Sequence, residues 1–369
     1  MLRNGRPQPY FAVARASIRR AVDKRHAGEW WPVWVSQRGM RVTVLGAGYM
    51  GSSMASVARQ RGHEVRLWGT WLDDAMLEPA ERGEPHPRLK LPLDGIALLR
   101  APRLAEALEG AELVVHAANS EGVVAVLTKA APHLPDVPVL SVTKGLLESP
   151  TTRRMDRIDV VVPEHVGRPV RFVHAAGPAK AMELARGVLT WMHFAGAPGD
   201  TAACAAALAG DGLVVTTSAD IAGAELCSAL KNAYATGLGL WDGHVGAAAH
   251  NARAACFTQA LVEMRALVAA GGGRVETVYG PAGTGDLHVT AAAGRNRAFG
   301  ERVGRGIPAA QVAAEMLAAG ELTEGYPAIA TAWRFAGERG VTAVPLLQAL
   351  YAIVWQGADV RAVLERFSF

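Results

Sequence analysis

The sequence predicts an α/β protein in which an N-terminal, doubly wound parallel sheet is followed by an all-helical C-terminal domain. From residue 41, short β-branched runs alternate with helical periods, as expected for parallel strands joined by crossover helices. After about residue 218 the strand signals fade, and helical segments continue to the end. A chain of 369 residues also exceeds what one hydrophobic core usually supports. We therefore expect a sheet domain over residues 41–218 and a helical domain over residues 219–369.

The individual elements follow from local periodicity and from helix end signals. Ser52–Arg61 contains neither Gly nor Pro and ends before Gly62, which predicts a helix. Ser218 or Asp220 is placed to cap the first helix of the second half. The predicted strands are Val42–Leu45, Glu64–Trp68, Leu113–Ala117 and Val139–Thr143, with Val160–Val162 and Arg171–His174 as further candidates. The later predicted helices are Ile221–Leu238, His250–Ala270, Pro308–Ala318, Pro327–Gly337 and Pro345–Val354.

Residues 1–40 form a basic extension. They hold eight of the 38 Lys and Arg residues and two of the 34 acids, so the remainder carries 30 bases and 32 acids. Because the positive charge lies outside the predicted domains, we discount nucleic-acid binding. The extension has the composition of a transit peptide or a membrane-surface helix. We favour the alternative, a disordered or non-native extension, because Met40 directly precedes the first predicted strand.

Cysteine usage and hydropathy indicate the compartment. Cys204, Cys227 and Cys256 form no C-x-x-C pair and lie in alanine-rich sequence, which predicts free thiols in a reducing cytoplasm. No apolar run reaches the roughly 18 residues that a bilayer span requires. We expect a cytoplasmic protein without a membrane span and without a metal site.

A glycine turn predicts a dinucleotide site. Gly46, Gly48 and Gly51 follow the first predicted strand, and Tyr49 and Met50 fill the variable positions between them. The first glycine permits a tight turn, the second lets the backbone approach a pyrophosphate, and the third allows the helix to pack on the strand. The amides at the start of the following helix then face the phosphates. The strand before and the helix after give the motif its expected context.

The choice of dinucleotide depends on the end of the second predicted strand. An NAD-specific turn usually has a carboxylate there to hold the ribose 2′-hydroxyl. This strand instead ends in Trp68-Gly69-Thr70-Trp71, with no acid before Asp73. Nothing in that sequence would repel a 2′-phosphate, although no arginine invites one. We therefore favour NADP(H) and keep NAD(H) as the alternative.

Seven further segments occur in a characteristic order. They are Val142-Thr143-Lys144-Gly145-Leu146; Gly177-Pro178 with Glu183-Leu184-Ala185; Ala229-Leu230-Lys231-Asn232; Asn251-Ala252-Arg253-Ala254-Ala255 with Glu263-Met264; Gly283-Thr284-Gly285-Asp286-Leu287; Gly294-Arg295-Asn296-Arg297; and Thr323-Glu324-Gly325. Each segment is short, but the seven in this order are highly specific. Over essentially all of residues 41–367 the chain resembles the NAD(P)-dependent glycerol-3-phosphate dehydrogenases.

The resemblance implies three catalytic residues. Reducing a ketone by hydride transfer creates an alkoxide, so the site must supply a proton or a positive charge. Lys231 lies among apolar helix residues that would lower its pKa, and by resemblance it accepts the proton in the oxidative direction. Asp286 is expected to hold Lys231 and to accept a substrate hydroxyl, while Lys144 adds positive charge near the carbonyl or nicotinamide. Without the resemblance, the two lysines would be interpreted as surface residues and Asp286 as a turn cap.

The resemblance also implies a phosphate clamp and cofactor contacts. Arg295 and Asn296 can donate guanidinium and amide hydrogen bonds to phosphate oxygens, and Arg297 and Arg302 lie nearby. Glu324 would contact the ribose or nicotinamide side of the cofactor. The remaining implied substrate contacts are Lys144, Gly177, Lys231, Asn232 and Asp286. The remaining implied cofactor contacts are Lys144, Ala181, Arg295 and Leu322.

The chain departs from the family pattern at three places. Ala179 stands where the family has a hydroxyl residue, Lys180 where it has a bulky aromatic residue, and Cys227-Ser228 where it has a glycine pair. Losing one hydrogen bond to a charged group costs about 1.5–3 kcal/mol, which Lys180 could offset. The chemistry is expected to persist, whereas the identity of the substrate stays open.

Three functional hypotheses remain. The first, implied by the resemblance, is an oxidoreductase that interconverts dihydroxyacetone phosphate and sn-glycerol 3-phosphate with NAD(P)(H) and feeds glycerophospholipid synthesis. The second is a related dehydrogenase for another small phosphorylated or carboxylated hydroxy compound. The third is a non-catalytic NADP-binding redox sensor, which is disfavoured because Lys231, Asn232 and Asp286 are all present. A small phosphorylated substrate is expected in the first case, and a homodimer is left open.

Overall fold

The computed structural model describes residues 39–246, 249–292 and 294–367, and these residues belong to one compact unit. The predicted basic extension, residues 1–40, lies outside the described residues except for its last two positions. The strands are β1 (Arg41–Leu45), β2 (Glu64–Trp68), β3 (Ile96–Leu99), β4 (Leu113–His116), β5 (Val139–Ser141), β6 (Leu147–Glu148), β7 (Met155–Asp156), β8 (Phe172–Ala176), β9 (Thr190–Gly196) and β10 (Leu213–Ser218).

Eight of these strands form one sheet in the order β10-β9-β8-β5-β4-β1-β2-β3, while β6 and β7 pair as a separate hairpin. Six neighbouring strands run parallel to one another, namely β8, β5, β4, β1, β2 and β3. Strand β9 is antiparallel to β8, and β10 is parallel to β9. The chain moves outward in opposite directions from the neighbouring pair β1 and β4. Ligands of doubly wound sheets bind beyond the carboxyl ends of the strands at this switch point.

Helices cover both faces of the sheet and form the whole second half of the described chain. In the first half they are α1 (Tyr49–Gln60), α2 (Asp74–Glu81), α3 (Leu104–Leu108), α4 (Val123–Ala130), α5 (Ile158–Val166), α6 (Ala181–Ala185) and α7 (Pro198–Leu208). In the second half they are α8 (Ile221–Val245), α9 (His250–Ala270), α10 (Asp286–Ala292), α11 (Arg295–Gly304), α12 (Ala309–Ala318), α13 (Gly325–Glu338), α14 (Pro345–Trp355) and α15 (Val360–Arg366). The predicted combination of a doubly wound sheet and a helical C-terminal part is confirmed.

The hydrophobic core has a layer on each face of the sheet and a third cluster in the helical half. Successive residues of a strand point to opposite faces, so Val44 packs into one layer and Leu45 into the other. Helix α8 is buried on nearly all sides from Gly223 to Asp242, as a central helix must be. No helix in the described ranges is long and apolar enough to cross a membrane.

Helix α8 begins at a polar cap that the sequence predicted. The Asp220 side chain accepts hydrogen bonds from the amide of Gly223 at 3.0 Å, the amide of Arg274 at 3.0 Å and the hydroxyl of Thr277 at 2.5 Å. One carboxylate thus satisfies the helix end and ties it to the segment that follows α9. This cap fixes where α8 begins relative to the carboxyl edge of the sheet.

Some predicted elements were wrong or were missed. The predicted strand Val160–Val162 lies within helix α5, where buried Ile158, Val161 and Val162 recur at helical spacing on one face. The sequence analysis missed β3, β9 and β10. Strand β10 follows an alanine-rich helix so closely that no clear break separates the two patterns, and β9 contains small residues that weaken the strand signal. The division into domains at residue 218 stays a prediction, because all described residues belong to one compact unit.

The Asp220 cap should contribute measurably to stability. Asp220→Ala leaves three donors without their acceptor, and we expect a loss of about 2 kcal/mol or more, seen as a lower thermal unfolding midpoint. The matched control is Asp359→Ala, because Asp359 caps the terminal helix α15 through one exposed bond to the amide of Ala362. Equal midpoint shifts in the two variants would contradict the special role of the buried cap.

Candidate active site

The glycine turn lies between β1 and α1 at the carboxyl edge of the sheet. Gly46 has a φ of +111°, a backbone conformation that other residues rarely adopt. A Cβ atom at Gly51 would lie 1.9 Å from the carbonyl oxygen of Gly46, so only glycine allows the helix to approach the strand this closely. Helix α1 begins at Tyr49, directly after Gly48. Its first amides have no partners within the helix and are available to an anion.

Two side chains brace this turn through the backbone of Ala47. The carboxylate of Asp73 accepts the amide of Ala47 at 3.2 Å, and it also accepts the amide and hydroxyl of Thr70, both at 2.8 Å. The carbonyl oxygen of Ala47 accepts a hydrogen bond from Nε2 of His86 at 3.1 Å. Burial lowers the pKa of His86, so its neutral ring donates through Nε2 and accepts through Nδ1.

Neither brace was identified from the sequence. Asp73 lies five residues beyond β2, and the turn at Thr70 brings its carboxylate back to the glycine turn. His86 lies in a loop with no motif of its own. The sequence analysis found no acid at the end of β2. The structure nevertheless brings the carboxylate of Asp73 to the glycine turn.

A buried carboxylate joins the two predicted lysines. Asp286 is 1% exposed, its Oδ1 accepts a hydrogen bond from Nζ of Lys231 at 2.5 Å, and its Oδ2 accepts one from Nζ of Lys144. Lys231 also donates to the hydroxyl of Thr290 at 2.9 Å. An ammonium group has three donors, so one N–H of Lys231 remains after these two bonds to the described residues. Thr290, one helical turn after Asp286, was not identified from the sequence.

Three elements bring these groups together. Lys144 follows β5, and the preceding Thr143 donates a 2.6 Å hydrogen bond to the carbonyl oxygen of Ala118 at the neighbouring strand end. Lys231 lies near the middle of α8. Asp286 follows a π-helical turn, Pro281–Gly285. The predicted catalytic residues Lys144, Lys231 and Asp286 are thus brought into one cluster at the carboxyl edge of the sheet.

Glycine and proline residues allow this π-helical turn to pack closely against two neighbouring segments, at Val278 and at Pro178. A Cβ atom at Gly283 would lie 2.1 Å from the carbonyl oxygen of Val278, which leaves room only for glycine. A Cβ atom at Gly285 would lie 3.3 Å from Pro178, so the turn packs on the segment after β8. Gly177 has a φ of +115° there. Pro178, directly after the predicted substrate contact Gly177, therefore packs against the turn that carries Asp286.

Burial and charge adjust the ionisation of the cluster in opposite directions. Burial lowers the pKa of Lys231 to about 8, against the attraction of Asp286, and Lys144 lowers it further. Burial alone would raise the pKa of Asp286, but the positive charges of Lys144 and Lys231 outweigh it and hold that pKa below its usual value. The cluster thus combines a permanent carboxylate with a lysine that can exchange its proton near neutral pH.

A second polar network lies beside the cluster and joins α8, α11 and the start of α13. The side-chain amide of Asn296 donates to Oδ1 of Asn232 at 3.0 Å, and its oxygen accepts the amide of Gly325 at 2.9 Å. The side-chain amide of Asn232 donates to Glu324 at 3.0 Å. Three predicted site residues therefore hold one another, with Leu322 half-buried just before Glu324.

The arginines near this network differ in their availability. Arg295 is exposed at the start of α11 and forms no hydrogen bond or ion pair with any residue that the structure describes. Arg297 is held by Asp242 at 2.6 Å, and Arg302 is paired with Glu315. Of these three arginines, Arg295, which the sequence analysis predicted as a phosphate ligand together with Asn296, is the one that is uncommitted within the described ranges.

The remaining predicted cofactor contact, Ala181, connects two helices. It is the first residue of α6, and its carbonyl oxygen accepts a 2.7 Å hydrogen bond from the hydroxyl of Ser53 in α1. Ala179 and Lys180, the two departures noted above, are half-buried in the short segment between Gly177 and this helix. The segment therefore connects Pro178, which packs against the turn before Asp286, to helix α6, which is hydrogen-bonded to α1.

Comparison with known proteins supports the same assignment over both halves. The families described as NAD-dependent glycerol-3-phosphate dehydrogenase N-terminus and C-terminus match residues 41–202 and 220–365. The NADP(+)-dependent glycerol-3-phosphate dehydrogenase of Archaeoglobus fulgidus is 32% identical over 88% of this chain and 98% of its own length. The glycerol-3-phosphate dehydrogenase [NAD(P)+] of Thiobacillus denitrificans is 36% identical over 88% and 97%.

A solved structure agrees with the sequence comparisons. The glycerol-3-phosphate dehydrogenase of Coxiella burnetii superposes with a TM-score of 0.78 at 28% identity, covering 89% of this chain and 98% of that one. The family matches together cover most of the chain, and they include every residue of the lysine–aspartate cluster. The chain therefore belongs to the NAD-dependent glycerol-3-phosphate dehydrogenase family.

Proposed function

We propose that this protein interconverts dihydroxyacetone phosphate and sn-glycerol 3-phosphate with a nicotinamide dinucleotide. The observation that carries the proposal is the buried bridge in which Asp286 accepts hydrogen bonds from Lys144 and Lys231. The bridge supports the proposal because it holds Lys231, whose pKa burial lowers to about 8, at the carboxyl edge of the sheet. Family membership and the names of the relatives support the same reaction.

The residues of this chain have distinct roles in the proposed reaction. A nicotinamide bound at the glycine turn would exchange a hydride with the substrate carbon. Lys231 donates its remaining N–H to the substrate oxygen and gives up a proton as the carbonyl becomes a hydroxyl. Lys144 adds positive charge that stabilises the developing alkoxide, and Asp286 keeps both ammonium groups oriented. In the reverse direction Lys231 accepts the proton.

The glycine turn fits a dinucleotide. The close approach of Gly51 to Gly46 leaves no room for a side chain, and the first amides of α1 are available to a pyrophosphate. We propose NADP(H), with NAD(H) as the alternative, in line with the relative from Archaeoglobus fulgidus. Tyr49, Met50, Ala181, Leu322 and Glu324 complete the proposed cofactor contacts.

Substrate recognition is proposed to depend on the substrate phosphate. The exposed guanidinium of Arg295 can bind two phosphate oxygens, and Asn296 adds an amide donor from the next position. Gly177, Asn232 and Lys144 are the further proposed substrate contacts. Ala179 supplies no hydroxyl in this region, so a different hydroxy compound is the second candidate.

The wider setting follows from the proposed reaction. Production of sn-glycerol 3-phosphate would feed glycerophospholipid synthesis in the cytoplasm.

We also propose separate domains over residues 41–218 and 219–369. A homodimer is consistent with this proposal, and sedimentation of the purified protein would test it.

Substrate tests should separate the two candidate functions. The purified protein should oxidise NADPH or NADH with dihydroxyacetone phosphate and not with a panel of 2-keto acids. Arg295→Ala should raise the KM for dihydroxyacetone phosphate about tenfold or more, because it removes a charged hydrogen bond. Its effect on unphosphorylated dihydroxyacetone should be small.

The matched control for Arg295 is Arg302→Ala, since Arg302 is paired with Glu315 on the surface. This variant should retain the wild-type KM. Turnover of the keto acids without turnover of dihydroxyacetone phosphate would exclude the proposed substrate.

The pH dependence of the reaction should follow Lys231. Ketone reduction needs the protonated lysine, so kcat/KM should fall as the pH rises through about 8. Oxidation needs the neutral lysine, so kcat/KM should fall as the pH drops through about 8. Lys231→Met should lower kcat on the order of a thousandfold and remove this dependence in both directions.

Lys129→Met is the control for the pH experiment, because Lys129 is an exposed lysine that contacts Trp71 on the first half of the chain. It should keep the wild-type pH midpoint. If Lys231→Met retained more than about a tenth of the wild-type kcat, Lys231 would not be the general acid.

Cofactor preference should respond to Asp73. Asp73→Asn removes a negative charge bonded to the glycine turn while leaving one side-chain oxygen as an acceptor. We expect the ratio of kcat/KM for NADPH to that for NADH to rise severalfold, corresponding to about 1 kcal/mol of electrostatic repulsion. Asp74→Asn, at the exposed neighbouring acid, should leave this ratio unchanged, and an equal rise there would point to a general charge effect.

A further inference from the structure

Two buried polar atoms that face each other lie behind the lysine–aspartate cluster. Nδ1 of His174, in β8, is 3.7 Å from Oε1 of Glu225, in α8, and both side chains are 1% exposed. Neither atom has a hydrogen-bond partner among the described residues. A buried polar atom without a partner costs about 1–3 kcal/mol, so two that face each other point to a proton shared between them.

The other atoms of these two side chains are bonded. Nε2 of His174 lies 2.9 Å from the hydroxyl of Ser228, and the second carboxyl oxygen of Glu225 accepts the amide of Asp159 at 3.2 Å. Ser228 lies one helical turn before Lys231. The side chains of Glu225, His174 and Ser228 therefore link helix α8 to strand β8 immediately behind the proposed general acid.

The charges around this link determine its protonation. Burial raises the pKa of Glu225 well above its usual value, and the neighbouring carboxylate of Asp159 adds to the effect, while Arg157 opposes it. Burial lowers the pKa of His174 to about 3. Besides Glu225, which faces Nδ1, the charged or titratable groups that act on His174 electrostatically are Lys144, Asp286, His193 and Lys231. These environments favour a carboxylic acid and a neutral imidazole.

This protonation state gives every donor an acceptor. In this state the carboxyl group of Glu225 can donate its proton to Nδ1 of His174, and the N–H at Nε2 is donated to the hydroxyl of Ser228. The gap of 3.7 Å exceeds a hydrogen bond by about 1 Å, so the donation from Glu225 requires the two side chains to approach by that amount. The link then holds no net charge and places no third cation beside the two lysines.

The link depends on the hydroxyl of Ser228. A glycine at this position would have no hydroxyl to accept a hydrogen bond from the imidazole. A Ser228 side chain in the middle of a buried helix needs a polar partner, and His174 supplies it.

We propose that His174, together with Glu225 and Ser228, is a positioning element that fixes Lys231 against Asp286 while remaining uncharged. The activity part of this proposal rests on the role of Lys231 given above. The positional part concerns the environment of the Lys231 amine and can be measured without turnover.

The experiment compares Ser228→Ala and His174→Leu with wild-type protein. The first readout is the pH midpoint for carbamoylation of Lys231 by cyanate, followed by peptide mass spectrometry. Both variants should lower this midpoint by about half a unit or more, because a displaced lysine loses part of its attraction to Asp286. The second readout is kcat, which should fall roughly tenfold with little change in the KM for the cofactor.

Two conservative variants test the proton assignment. Glu225→Gln keeps a donor toward Nδ1 of His174, so its Lys231 midpoint should stay close to that of wild type. His174→Gln keeps a donor toward Ser228 and should recover most of the loss seen in His174→Leu. If Glu225→Gln instead lowered the Lys231 midpoint as His174→Leu does, Glu225 would not act as a proton donor to Nδ1 of His174.

His193→Leu is the matched control. His193 is also buried and bonds two hydroxyls, those of Thr216 and Ser218, but it links β9 to β10. It should lower the thermal unfolding midpoint without moving the Lys231 midpoint. If Ser228→Ala and His174→Leu likewise lowered only thermal stability, the positioning role would be overturned.

The two proposals fail in different ways. If Lys231→Met kept its activity, the catalytic role would fail, yet the cyanate midpoints would still test the link. If the cyanate midpoints of Ser228→Ala and His174→Leu were unchanged while Lys231→Met was inactive, the catalytic role of Lys231 would stand. The positioning role of His174, Glu225 and Ser228 would then be excluded.

Discussion

The carboxylate of Asp286 is the constraint on which the site depends. The ammonium groups of Lys144 and Lys231 both contact this carboxylate, so they lie close enough to repel each other. Both lysine side chains are also largely removed from water. Removing one partner of such a buried cluster typically costs about 3–5 kcal/mol, because the remaining charge is uncompensated. With the carboxylate in place, the cluster keeps one net positive charge at the point where an alkoxide would develop.

This constraint also joins the two halves of the chain. Lys144 comes from the sheet, Lys231 from the central helix, and Asp286 from a turn that packs on the segment after β8. The glycine turn reaches the same segment through the hydrogen bond between Ser53 and Ala181. A displacement of either half would therefore separate charges that stabilise each other. The proposed cofactor binding and proton transfer would thus depend on the same contacts.

The sequence predicted those parts of the structure that depend on local pattern or on ordered motifs. The glycine turn, the Asp220 cap and the helical second half could be predicted because each has a signal within a few residues. The pairing of Lys144 with Asp286 could not, since the two lie 142 positions apart and only the fold brings them together. His86 and Thr290 have no distinguishing neighbours, and Val160–Val162 shows that burial on a helix face can override a β-branched composition.

The π-helical turn Pro281–Gly285 makes the site sensitive to chain length. A π-helical turn accommodates one residue more than an α-helical turn in the same rise, and this extra residue sets the direction of the Asp286 side chain. Losing one residue would rotate the following helix by about 100° and turn the carboxylate away from both lysines. Natural variation in this turn should therefore exclude insertions and deletions, and exchanges of residues should spare Gly283, where only glycine fits.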